Sequence, residues 1–169
     1  SADGKTAFVA DSYGGLDIID VSNPANPTLT GNDNTSGFTQ AVTLSADGKT
    51  AFIAVGDGLD IIDISDLANP TLTGTFDTSG LSLGVTLSAD GKTAFVADFD
   101  DGLDIIDVSD PANPTLTGNY DTSGNAYAVS LSADGKTAFV ADDSGGLDII
   151  DVGYSQHFSI ASDTAGIVV

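Results

Sequence analysis

An all-β propeller of four four-stranded blades is the fold this sequence predicts, and three observations carry it. One 43–44-residue unit recurs: Ser-Ala-Asp-Gly-Lys-Thr-Ala-Phe opens at Ser1, Ser45, Ser88 and Ser132. Each unit divides into four short β-rich runs bounded by Gly, Pro, Asp and Asn, and none of the runs has helical periodicity. The runs are apolar on both faces, so each sheet must be covered on both sides. Copies of a four-stranded meander that cover one another are blades.

The third unit justifies each element in order. Gly84-Val-Thr-Leu87 is the first strand, a, and Asp90-Gly91 is a two-residue hairpin signal, because Asp and Gly tolerate positive φ. Thr93–Asp98 is the return strand, b, whose small Ala94 and Ala97 flank Phe95-Val96 where strands crowd together. After a turn over Phe99–Gly102, strand c is Leu103-Asp-Ile-Ile-Asp-Val108. One of its faces carries Leu103, Ile105 and Asp107, and the other carries Asp104, Ile106 and Val108. Ser109–Pro114 is a Pro-rich connection to strand d, Thr115–Tyr120, and Asp121–Gly124 leads to the next unit. A β-helix fits less well, because its coils are shorter than 43 residues.

The units at the two ends break the pattern. The sequence opens at the turn before strand b, so the first blade has no strand a. The fourth unit diverges after Val152, and the segment 153–169 matches no repeat. Its last residues, Gly166, Ile167, Val168 and Val169, read like Gly84–Leu87 and could supply the strand the first blade lacks. The whole of 1–169 is expected to be a single domain. It would form a ring closed within one molecule, or a polymer in which that strand enters a neighbour's first blade by β-strand addition. Truncation of a longer propeller is the third arrangement.

Composition bounds function. Of 169 residues, 25 are acidic, all of them Asp, against four Lys and no Arg, for a net charge of −21. Nucleic-acid binding is excluded, since phosphate contacts need Lys or Arg. No apolar run approaches the ~18 residues of a membrane span. There is no Cys for a disulfide framework and no Met to mark Ser1 as a translational start, so the chain reads as a processed protein or a segment of a longer one. A chain poor in oxidisable and trypsin-sensitive residues is expected outside the cell or on its surface.

The runs Thr-Ala-Phe-Val-Ala-Asp, Gly-Leu-Asp-Ile-Ile-Asp-Val-Ser and Asp-Pro-Ala-Asn-Pro-Thr-Leu-Thr-Gly resemble the LVIVD repeat of bacterial and archaeal surface propellers. The resemblance covers nearly everything up to Val152. It implies a propeller and little about activity.

Only Asp offers metal ligands. The cluster Asp98, Asp100 and Asp101 has the hard oxygens that suit Ca²⁺, although Asp in such turns also binds its own backbone. Asp104 and Asp107, repeated in every unit, are expected to make turn and edge contacts, because a catalytic carboxylate pair needs two different environments. His157 is the only His. Asn34-Thr-Ser36 is the one N-glycosylation sequon. The resulting expectation is a non-enzymatic extracellular structural or interaction protein, a self-assembling subunit of a surface layer or filament joined through strand complementation. The alternative is a secreted binding module for a glycan or small ligand, marked by the rim aromatics Tyr13, Phe38, Phe99 and Tyr127.

Overall fold

The computed structural model describes residues 1–35 and 37–153. Fourteen strands form four separate antiparallel meanders. Blade 1 contains β1 (Thr6–Ala10), β2 (Leu16–Asp20) and β3 (Thr28–Asp33). Blade 2 contains β4 (Ala41–Leu44), β5 (Thr50–Val55), β6 (Gly58–Asp63) and β7 (Thr71–Asp77). Blade 3 is β8 (Gly84–Leu87), β9 (Thr93–Ala97), β10 (Leu103–Asp107) and β11 (Thr115–Tyr120). Blade 4 is β12 (Ala126–Leu131), β13 (Thr137–Asp142) and β14 (Gly146–Asp151). The expected strands of the third unit are all present, within a residue of their predicted ends.

The hairpin at Asp90-Gly91 is not the two-residue turn expected. The Gly91 amide donates to the Ser88 carbonyl at 2.9 Å, and of the turn residues only Gly91 takes a positive φ, 71°. Asp90 instead uses its carboxylate to organise the loop, accepting from the Ser88 hydroxyl at 2.6 Å and the Lys92 amide at 3.2 Å. The same pair of bonds recurs at Asp3, Asp47 and Asp134. Side-chain acceptance from two donors stabilises a wider loop with one left-handed residue.

The core lies between blades. Blades 2 and 3 each present one face to the blade before and the opposite face to the blade after. At the first junction, Leu16 and Ile18 of blade 1 meet Ala51, Ile53, Val55, Ile62 and Ile64 of blade 2. At the second, Phe52, Leu59 and Ile61 meet Ala94, Val96, Ile106 and Val108. At the third, Phe95 and Leu103 meet Ala138, Val140 and Ile150. The forward face thus carries Phe, Leu and Ile, while the backward face carries Ala, Val and Ile, so large side chains pack over small ones. Among the described residues there are three such clusters for four blades, and none joins blade 4 to blade 1. The closure strand expected at Gly166, Ile167, Val168 and Val169 lies outside the described residues.

A glycine in the outer strands of blades 1 and 2 marks where each comes closest to the next blade. A Cβ on Gly74 would lie 2.2 Å from the Pro111 carbonyl oxygen of blade 3, and one on Gly31 2.1 Å from the Leu67 carbonyl oxygen of blade 2. At Gly118 the nearest atom is Ile105 Cδ1, 3.9 Å away. The outer strand also shifts register opposite Ile61/Ile62, and equivalently in blades 1 and 3. Each shift adds one residue to the outer strand and twists it. Gly74→Ala should therefore destabilise the protein by ~1–3 kcal/mol through forced backbone displacement, whereas Gly118→Ala should change stability by less than about 0.5 kcal/mol. Chemical denaturation of the two variants side by side checks this, and equal effects would contradict the close approach.

Candidate functional site

Strand ends and linkers gather on one rim, where the b–c turns of one blade meet the d–a linker of the blade before it. Asp98 ends strand b of blade 3 and is fully buried. Its carboxylate accepts from the Thr78 hydroxyl at 2.9 Å, the Ser82 hydroxyl at 3.1 Å and the Gly80 amide at 2.8 Å, all on the preceding linker. Asp142, equally buried, accepts from the Thr122 and Ser123 hydroxyls at 2.7 and 3.3 Å. The Asp-Thr-Ser-Gly linkers are thus latched to the next blade by charge-assisted hydrogen bonds. Of the predicted Ca²⁺ trio, Asp98 serves this latch, Asp101 accepts from the Ser79 hydroxyl, and Asp100 is exposed. Among the described residues no group of three His, Cys, Asp or Glu side chains is arranged to hold a metal ion.

The second blade breaks the latch. Val55 stands where Asp98 and Asp142 stand in their strands, and the Thr35 hydroxyl that should reach it is buried with no partner among the described residues. An orphaned buried hydroxyl is a standing cost. Thr35→Val should accordingly be neutral or stabilising by up to about 1 kcal/mol, while Thr78→Val should cost about 1–3 kcal/mol. Equilibrium unfolding of both variants tests the contrast.

Asp104 and Asp107, expected to share one role, separate. Asp107 accepts from the Ser109 amide at 2.9 Å and caps a turn. Asp104 is buried and points from strand c toward blade 2, with its carboxylate accepting from Asn119 Nδ2 at 2.8 Å. Burial pushes its carboxyl up, the Asn119 bond pulls it down, and the charges of Asp98 and Asp101 push it further up. It borders a cleft of about 230 Å³ between blades 2 and 3, lined also by Asp77, Thr78, Ser79, Asp101 and Asn119. Asp17 makes the equivalent bond to Asn32 at 2.7 Å.

Asp60 is the exception among these repeats. Its cross-strand neighbour is Thr75, where Asp17 faces Asn32 and Asp104 faces Asn119. It is 3% exposed, and burial together with the charges of Asp33, Asp57 and Asp77 raises its pKa to about 6. Four copies of one sequence motif therefore occupy different environments. The sequence held the signal, because Thr75 replaces an Asn found in two other units, but only the register shows that these residues face the aspartates.

A carboxyl whose folded pKa exceeds its unfolded value binds more protons when folded. Its contribution is therefore fully present below about pH 4 and lost as pH rises through about 6. Between pH 5 and 7 Asp60→Asn should flatten the decline of melting temperature and melt higher than the parent at pH 7. A thermal-melting series over pH reads both effects, and an unchanged slope would remove Asp60 as the cause.

The remaining expected sites are placed as follows. Asn34 is exposed in the first linker. Tyr13 packs edge-on against Phe38, with ring centroids 5.0 Å apart, and Phe99 against Tyr127 at 5.5 Å. The four rim aromatics thus form two inter-blade pairs. His157 lies outside the described residues. No helix among the described residues is long and apolar enough to cross a membrane.

Meanders joined face to face and latched at one rim define a repeat-built β-propeller. A model of the LVIVD repeat matches residues 1–35, 37–78, 85–122 and 123–162, and the chain belongs to this repeat family. A comparison with curated protein sequences finds no match. Among solved structures the chain is similar to the periplasmic gluconolactonase of Pseudomonas aeruginosa, with a TM-score of 0.68 at 18% identity, covering 89% of this chain and 54% of that one. A Bacteroides uniformis protein described provisionally as a 6-phosphogluconolactonase gives a TM-score of 0.77 at 20% identity, covering 89% and 48%. The propeller domain of Myceliophthora thermophila Cps50 (Swd1) gives 0.68 at 16%, covering 89% and 55%. The chain spans about half the length of these propellers.

These neighbours correct the expected function. The non-enzymatic reading rested on four copies of one carboxylate environment, and its surface-layer or filament role on strand complementation by Gly166, Ile167, Val168 and Val169, which lie outside the described residues. Propellers of this fold include proteins named as lactonases, and the carboxylates of the repeated motif are not equal in environment. The fold gives no ground for excluding catalysis.

Proposed function

We propose that the chain belongs to an exported lactone-hydrolysing propeller acting on a neutral, sugar-derived lactone, with Asp104 as the general base. The observation that carries the reading is a buried carboxylate with a raised pKa, oriented by Asn119 and bordering a cleft open to a small molecule. Fold likeness to proteins named as gluconolactonases supports the substrate class, and the periplasmic location of one of them supports export.

The chemistry needs one base and a few donors. Asp104 takes a proton from water as the water oxygen bonds to the lactone carbonyl carbon. The tetrahedral intermediate collapses by breaking the bond to the ring oxygen, which receives the proton and leaves as an alcohol. The donors lining the same cleft are engaged in the resting site, Thr78 on Asp98, Ser79 on Asp101 and Asn119 on Asp104, so the developing oxyanion is met by a hydroxyl that turns away from its carboxylate. Desolvation brings the base closer to working pH, where general-base catalysis is most effective.

Charge argues for a substrate without phosphate. There is no Arg, and the four Lys lie in the a–b turns, at the opposite end of the blades from the b–c turns and linkers. A rim of carboxylates would repel a phosphate dianion.

Hydrolysis of glucono-δ-lactone, followed by pH-stat and corrected for the spontaneous rate, should be accelerated. The rate should rise with pH as Asp104 ionises. Asp104→Asn should remove about 10²–10⁴-fold of the enzymatic rate without lowering the melting temperature, and the 6-phosphorylated lactone should be the poorer substrate. A rate equal to the spontaneous one, or full activity in the Asn variant, would refute the proposal.

A further inference from the structure

The latch between blades 2 and 3 differs from the one between blades 3 and 4 by a hydroxyl. Pairing of Gly84 with Ala97, and of Ala128 with Ala141, puts Ser82 and Ala126 at the same position of their linkers. Ser82 is completely buried, and its hydroxyl donates at 3.1 Å to the Asp98 Oδ1 that also accepts from Thr78 at 2.9 Å. The Gly80 amide holds the other oxygen, Oδ2, at 2.8 Å. In blade 4 the corresponding oxygen, Asp142 Oδ1, accepts from Thr122 alone among the described residues, and Ala126 has no hydroxyl to add. Thr39, the counterpart of Ser82 in the first linker, donates instead to the Ser12 and Gly15 carbonyls.

The added donor matters because Thr78 belongs to two sites at once. It lines the cleft of Asp104, whereas Ser82 does not, and the two hydroxyls lie 3.0 Å apart. The Thr78 amide donates to the Asp57 carbonyl at 3.0 Å, which fixes the residue in place. A buried carboxylate that loses a donor with nothing to replace it is left with an unsatisfied charge, and that is costly. At Asp98 the loss is covered: with Thr78 turned away, Ser82 still saturates Oδ1 and Gly80 still saturates Oδ2. Asn119 is committed to orienting Asp104, and Ser79 is exposed, so Thr78 is the donor with a fixed position.

We propose that Ser82 is a positioning residue for lactone hydrolysis, which holds Asp98 Oδ1 and thereby releases the Thr78 hydroxyl to the developing oxyanion. The inference rests on the reading of Asp104 as general base. No proton changes hands at Thr78: its O–H bond stays intact, and the hydrogen bond moves from Asp98 to the oxyanion. Ser82 acts through Thr78 and touches no substrate. The latch between blades 2 and 3 is thus built to give up a donor, whereas a latch with alanine at this position serves packing alone.

A denaturant double-mutant cycle on the 169-residue chain tests the replacement of one hydroxyl by the other with no substrate present. Thr78→Val should lower the unfolding midpoint further in the Ser82→Ala background than in the parent, because only there does Oδ1 lose its last hydroxyl donor. On glucono-δ-lactone, Ser82→Ala should reduce kcat about 10-fold with KM unchanged. The acid limb of the pH–rate profile should stay in place, because Asp98 keeps its charge. Ser82→Thr should recover most of the rate, and Ser82→Ala should remove nothing further from Thr78→Val. An additive cycle, or an Ala variant as fast as the parent, overturns the role of Ser82 while the lactonase reading stands. A loss that appears in KM, or that persists in the Thr78→Val background, marks a merely structural serine and overturns it too. A parent no faster than spontaneous hydrolysis refutes the lactonase reading and this role with it, whatever the cycle shows.

Discussion

Everything in this molecule depends on burial of apolar sheet faces between blades. No blade has a core of its own: a meander of three or four short strands leaves both faces apolar, and an isolated sheet of that size is marginal in water. Pairing a face rich in Phe, Leu and Ile with one rich in Ala and Val packs large side chains over small ones at each of three junctions. Stability is then a sum over neighbours, as in other repeat proteins.

The same packing decides where polar groups can act. Because blades meet face to face, an aspartate at the end of strand b is sealed under the preceding linker, and its charge is tolerated only because hydroxyls and an amide saturate it. Where Val55 replaces that aspartate, the linker hydroxyl of Thr35 has no partner among the described residues. The second residue of strand c points into the junction rather than into solvent. Burial therefore pushes its carboxyl up, opposed at Asp104 by the Asn119 bond and reinforced at Asp60 by the charges of Asp33, Asp57 and Asp77. A charge of −21 distributed this way concentrates carboxylates at the rim and leaves the few lysines at the other end of the blades.

Much of this was legible in the sequence. The repeat period, the strand order and the two-sided apolar pattern of Leu103–Val108 specify meanders that stack, because a two-residue side-chain period with both phases apolar has no solvent face. The individual roles were not legible. Asp98 reads as a possible metal ligand until Thr78, Ser82 and Gly80 are seen to converge on it from 16 to 20 residues away. Asp104 and Asp107 look equivalent until strand pairing puts one in a junction and the other in a turn. Ring closure within four blades was a reading of strand counts, and the strand it relies on lies outside the described residues.

By itself the sequence determined a four-unit all-β propeller architecture, its strand boundaries, its turn residues and its acidic character, since these follow from local propensity and periodicity. Only the tertiary structure decided which copies of a repeated residue differ and which linkers are latched. Those properties depend on what lies across a junction, and repeats identical in local sequence acquire different surroundings only when the chain is folded.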